Sequence, residues 1–297
     1  MSYSSGGLIQ ASDFTTRATS VNNLWGTGSG NTGYGQTGTA LNTSITGTVA
    51  ASDWATMIAR MSTMQQHQFN NTTGIPAQPS AGGIITYLAA IDTAITSLQN
   101  NRFTSYTTTA SAALANTTNA TTWHTSSVKT WTIAFSSHDA ARYFFNAGGT
   151  LVIGSTGNTM SPTTWNSFVN TGYNYCYIAG NQFLHGGTVG TYTRGTYNSS
   201  GTFYTLTSTP TSFLTMTETG TGNANYNANS IDLKLSYNGA GVITATLTLT
   251  DADTNAFGYT NTGTTAAFIQ TYSPETTYLT TNSWGTPTVT NTVNTQA

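Results

Sequence analysis

The sequence predicts an α+β protein. A short helical N-terminal region covers residues 1–103, and a mainly antiparallel region of β-sandwich or jelly-roll type covers 104–297. Three observations carry this reading. Apolar residues recur at helical spacing in the first hundred positions and at a spacing of two after about Thr104. Thr is abundant throughout, and its β-branched side chain suits a pleated surface. Charged residues make up only 5% of the 297 positions, against roughly 25% in ordinary soluble domains. Thr, Asn, Ser and Gly take their place on the surface. The apolar share of 37% is still enough for a packed core.

In chain order, Ser12 and Asp13 supply a helix start ahead of Phe14, Ala18, Val21 and Leu24. Gly26 ends that helix and opens a glycine-rich run, GTGSGNTGYGQTGT. Ser52 and Asp53 start a second helix with one apolar face of Trp54, Met57, Ile58, Met61 and Met64. Pro76 and Pro79 break the chain. A third helix, from about Gly83 to Asn100, carries Ile84, Leu88, Ile91, Ile95 and Leu98 in heptad steps. This seam either packs the helix on its own domain or forms a short parallel coiled coil between subunits. Its mixed Ile and Leu suit a trimer as well as a dimer.

Beyond Thr104 the period changes. SVKTWTIAF (127–135) places Trp131, Ile133 and Phe135 on one face and Thr130, Thr132 and Ala134 on the other, a half-buried strand. Further strands are predicted at 150–154, 201–209, 211–219, 266–273 and 276–281. The clearest hairpin is SIDLKLSYNGAGVITATLTLTD (230–251), with Asn238-Gly239 as its turn. One helix interrupts at 161–171, capped by Ser161, with Pro162 in its first turn and Trp165, Phe168 and Val169 inward. The last dozen residues read as a tail or a late strand that needs a neighbour.

Composition narrows the function. Two Lys (Lys129, Lys234) and five Arg neutralise few phosphates, so neither nucleic acid nor an anionic membrane is an expected partner. No run approaches the roughly 20 apolar residues of a membrane span. The N-terminal string lacks a basic segment followed by an apolar run, so synthesis in a cytoplasm is expected. Cys176, the single cysteine, sits in YNYCYIAG and reads as a buried strand thiol. His67, His124, His138 and His185 show no metal-ligand spacing. His138-Asp139 is the nearest approach to an acid/base pair and reads as a turn packed on a sheet. Asp251 and Asp253 flank a strand end without the remaining ligands of a Ca²⁺ loop. Glu218 and Glu275 are the only Glu, and neither makes an evident glycan-cleaving pair. Gly28, Gly30 and Gly33 match Gly-x-Gly-x-x-Gly. They follow no strand and have no nearby Lys, so they read as a loop of unusual torsions that lets Trp25 and Tyr34 pack. No cofactor is expected.

Four strings carry a resemblance: LWGTGSGNTGYGQ (24–36), HQF (67–69), NRF (101–103) and SHDAARYFFNAGGTLVI (137–153). Together they resemble a group of virion structural proteins of tailed bacteriophages, common among myoviruses of cyanobacteria and other aquatic bacteria. The resemblance covers residues 8–155 and runs more loosely through the β region. It implies a virion component, not an enzyme, and no catalytic residues. Its motif residues are Asp139, Arg142, Tyr143, Phe144, Phe145, Asn146, Gly148 and Gly149. An Arg142 among aromatics beside Asp139 can make a buried ion pair and stack on a ring. Gly148-Gly149 would turn the chain into the strand at Leu151. The expectation is a virion subunit synthesised in the bacterial host cytoplasm, most simply tail-associated (neck, baseplate or short fibre). Its partners would be copies of itself, as a trimer through Ile84, Leu88, Ile91, Ile95 and Leu98, and other virion proteins. A head-surface decoration protein stays open as an alternative. So does an adhesin that reads host surface glycans through Tyr and Trp.

Overall fold

The computed structural model describes residues 10–79, 88–111, 113–119, 122–155, 158–159, 163–190, 192–219, 228–252, 261–262, 264–279 and 284–297. It is α+β and mainly β. The chain divides into two compact units. The first takes in Met1–Thr109, Arg142–Gly148 and Pro274–Trp284. The second takes in Ala110–Ala141, Gly149–Ser273 and Gly285–Ala297.

The first unit is built on α1 (Ala11–Trp25), α2 (Ala51–Phe69) and α3 (Leu88–Asn100), each packed against the other two. The helix starts share one device. Asp13 and Asp53 stand at the third helical position, and their carboxylates accept the N–H groups of Gln10 (2.7 Å) and Ala50 (3.1 Å). Each cap therefore lies slightly ahead of the Ser-Asp pair that signals it. The inward stripes are those the spacing predicts: Phe14, Ala18, Val21 and Leu24 on α1, and Trp54, Met57, Ile58, Met61 and Met64 on α2 are all buried. Phe14 and Trp54 meet edge to face at 5.1 Å. Arg17 on α1 pairs with Asp92 on α3 at 2.5 Å.

On α3, Leu88, Ile91, Ile95 and Leu98 are buried within the isolated chain. They fill the three-helix cluster and are not a surface open to other copies. Ile84 lies outside the described residues.

The strands are β1 (Thr108–Ala110), β2 (Ala115–Asn119), β3 (Ser126–Ala134), β4 (Thr150–Ser155), β5 (Tyr175–Ile178), β6 (Phe183–His185), β7 (Tyr192–Tyr197), β8 (Thr211–Glu218), β9 (Ser230–Tyr237), β10 (Val242–Thr250), β11 (Thr265–Pro274) and β12 (Thr288–Gln296). One sheet runs β1-β11-β4-β5-β6, with β2 also paired to β11. The other runs β12-β3-β10-β9-β8-β7. Both sheets are antiparallel, and in the second unit their inner faces meet. Trp131 Nε1 on β3 donates to Thr117 Oγ1 on β2 at 3.0 Å, and Phe183 on β6 lies edge to face with Phe213 on β8 at 5.2 Å. This is the sandwich arrangement.

Burial alternates residue by residue along β3 and β10. Lys129 falls on the buried face of β3, where its Nζ donates to Asn294 Oδ1 at 3.1 Å, and burial lowers its amine to about 8. The β9–β10 turn forms where predicted: Asn238 Oδ1 accepts the N–H groups of Ala240 (2.8 Å) and Val242 (3.0 Å). The last residues are the edge strand β12, held by β3.

Four local expectations change. Residues 201–209 form no strand, because Phe203 is buried and donates its N–H to Ala179, starting a short 3₁₀ turn, Phe203–Thr205. Residues 276–279 are likewise not a strand. The helix expected at 161–171 is a short α5 (Thr163–Ser167) continued as a π-turn, Phe168–Tyr173, with Trp165, Phe168 and Val169 buried as predicted. Ser161 and Pro162 lie outside the described residues. Finally, His138-Asp139 opens not a turn but a helix, α4 (His138–Asn146).

Candidate functional site

The glycine-rich run completes the end of α1. Every helix ends with carbonyls that lack an intrahelical partner. Here the carbonyls of Leu24, Trp25 and Gly26 accept the N–H groups of Tyr34 (2.9 Å), Gln36 (3.0 Å) and Gly35 (2.8 Å). The chain must therefore turn back within a few residues. Gly28, Gly30, Gly33 and Gly35 all take positive φ to do so. Gly35 has a second constraint, since a Cβ there would enter the ring of Tyr143.

The α4 segment Arg142–Gly148 holds this loop from the other side, within the same unit. Arg142 is buried, and its guanidinium donates to the carbonyls of Thr32 and Thr27, the latter at 2.7 Å. It also lies 4.8 Å from the Tyr143 ring centroid. Asn146, fully buried, donates Nδ2 to the Gly33 carbonyl at 2.7 Å. Phe144 and Phe145 are fully buried, edge to face at 5.1 Å. Gly148, at φ +90°, lies against the backbone of Ser105, where a Cβ would clash, and Gly149 leads into β4. Asp139 is exposed in the first turn of α4, where a carboxylate complements the helix dipole. The motif is a staple that fixes a loop through backbone carbonyls.

A second knot lies in the same unit. His67, fully buried, approaches Glu275 Oε1 through Nδ1 at 2.5 Å and the Ala147 carbonyl through Nε2 at 3.0 Å. A carbonyl can only accept, so Nε2 carries a proton. Glu275 Oε2 accepts the N–H groups of Thr277 (2.7 Å) and Tyr278 (3.2 Å). Burial pushes the Glu275 carboxyl up. The His67 hydrogen bond and charge, with the two amides, outweigh burial and leave it below its ordinary value. Tyr34, also fully buried, accepts from Gln68 Nε2 at 2.8 Å and donates to the Arg102 carbonyl at 3.2 Å. Burial raises its phenol well above the ordinary value. The HQF, NRF and glycine-loop strings thus meet at Tyr34.

In the second unit, Cys176 is buried on β5, and burial raises its thiol far above the usual range, so it is not a reactive nucleophile. His138 Nδ1 lies 2.8 Å from the Tyr237 hydroxyl. Glu218 is buried at the end of β8, with Asn229 Nδ2 3.4 Å from its Oε2. Burial, with the charge of Asp251 adding, pushes its carboxyl up to about 7. Asp251 accepts from Asn261 Nδ2 at 2.5 Å, and Asp253 lies outside the described residues. Among the described residues no three His, Cys, Asp or Glu converge as metal ligands, and no helix is long and apolar enough to cross a membrane.

Sequence reasoning missed the His67–Glu275 pair, whose members are 208 positions apart, because Glu275 carries no local pattern. No family model, no curated protein and no solved structure matches the chain.

Proposed function

We propose that this chain is a non-catalytic structural subunit of a tailed-phage virion, tail-associated and acting by assembly with copies of itself and other virion proteins. The observation that carries this reading is the staple. The two longest strings behind the resemblance, one in the glycine-rich loop and one in α4, lie together, and Arg142 and Asn146 bind the loop's own carbonyls. Arg142, Asn146, His67 and Glu275 are engaged in holding the first unit's shape. The low-charge Thr/Asn/Gly surface adds support, since contacts between subunits then desolvate few charges. The α3 seam is buried in its own unit, so contacts between copies fall to other surfaces.

The test is mass spectrometry of gradient-purified particles from a phage that carries this coding sequence. Peptides of the chain should co-purify with infectious particles at several copies each. Peptides confined to the soluble lysate would overturn the reading.

A further inference from the structure

We propose that a cleft beside the end of α1 is a binding site for an acidic saccharide. The inference does not rest on the virion reading. The cleft, of about 460 Å³, lies within the first unit, inside the size range of small-ligand sites. Trp25 and Arg60 both line it, with the Arg60 guanidinium 5.8 Å from the centroid of the Trp25 ring. Asn22 Oδ1 (3.1 Å) and the Thr39 carbonyl hold Arg60 in place. A guanidinium has five N–H donors, so donors remain for a ligand once those bonds are made. Half-buried and fixed by two partners, Arg60 binds a carboxylate with little loss of its own freedom.

A second depression of about 310 Å³ shares Asn22 and Thr27 with the first and adds Thr19, Asn23 and Thr43. The two depressions adjoin at Asn22 and Thr27; the first carries the cation and the aromatic residue, the second neutral hydroxyls and amides. No Asp or Glu lines either depression, so an anion meets no repulsion. A flat ring beside a fixed cation suits a sugar carboxylate. The hydroxyl and amide end suits the next, hydroxyl-rich unit of the same chain.

The experiment is calorimetric titration of the full-length protein with trigalacturonate, and with maltotriose as the uncharged control. The acidic trimer should bind saturably and at least about tenfold more tightly than the neutral one, and added salt should weaken it. Ala40→Phe, at an exposed cleft residue, should abolish binding without lowering the unfolding temperature. Thr37→Phe repeats the block should that variant fail to fold. Absent saturable binding, equal affinity for both trimers, or binding that survives the folded blocking variants would each overturn the proposal. Inorganic phosphate competing as well as trigalacturonate would also overturn it, by showing a simple anion site.

Discussion

Asn146 donates its side-chain N–H to the carbonyl of Gly33 at 2.7 Å, across 113 positions of sequence. With Arg142 on Thr27 and Thr32 it fixes the loop that closes α1. Asn146→Ala leaves a buried carbonyl without its partner and should cost about 1–3 kcal/mol. Arg142→Met uncovers two carbonyls and should cost about 2–5 kcal/mol. Denaturant unfolding of each variant measures both costs, and two neutral results would refute the staple.

Two glycines in the loop separate torsion from contact. Gly30 has φ +57° and open space around its Cβ position, so Gly30→Ala should cost about 1 kcal/mol. Gly35 has φ +67° and the Tyr143 ring in the way, so Gly35→Ala should cost more than about 2 kcal/mol. Thermal unfolding should rank the two in that order.

The helices were legible because each repeats an apolar residue every three or four positions over several turns, as Trp54 to Met64 does. The hairpin was legible because Asn238-Gly239 sits between two alternating runs. Helix α4 was not, since in nine residues its aromatic content obscures the period. Nor was the staple, whose acceptors are backbone carbonyls and leave no trace in side-chain identity. The 201–209 segment alternates like a strand, yet tertiary burial of Phe203 decides its shape.

The heptad on α3 tests what a periodic seam means. Ile91 is fully buried in its own unit, so Ile91→Asp should cost about 4 kcal/mol or more. The first unit should lose its helical circular dichroism signal. Dissociation into folded monomers that keep the signal would instead place the seam between subunits.

Two carboxyls give opposite pH responses. Glu275 is held below its ordinary value of 4.5, so its contribution is full above that pH and is lost as pH falls through the folded value. Acid should therefore weaken the wild-type protein, and Glu275→Gln should flatten that slope while lowering stability at pH 7.

Glu218 runs the other way. Its carboxyl is pushed from 4.5 up to about 7. The folded state therefore holds a proton that the unfolded state releases, and this contribution is full below 4.5 and lost as pH rises through about 7. Glu218→Gln should stabilise the protein at pH 8 and leave it little changed at pH 4. A variant whose pH dependence matches wild type between those values would contradict the assignment.

The most direct test of the central claim is gold-labelled antibody against this chain, applied to purified tailed particles and read by electron microscopy. Label is expected on the tail or neck at several copies per particle. Particles that stay unlabelled, while the same antibody detects the chain free in the lysate, would contradict it.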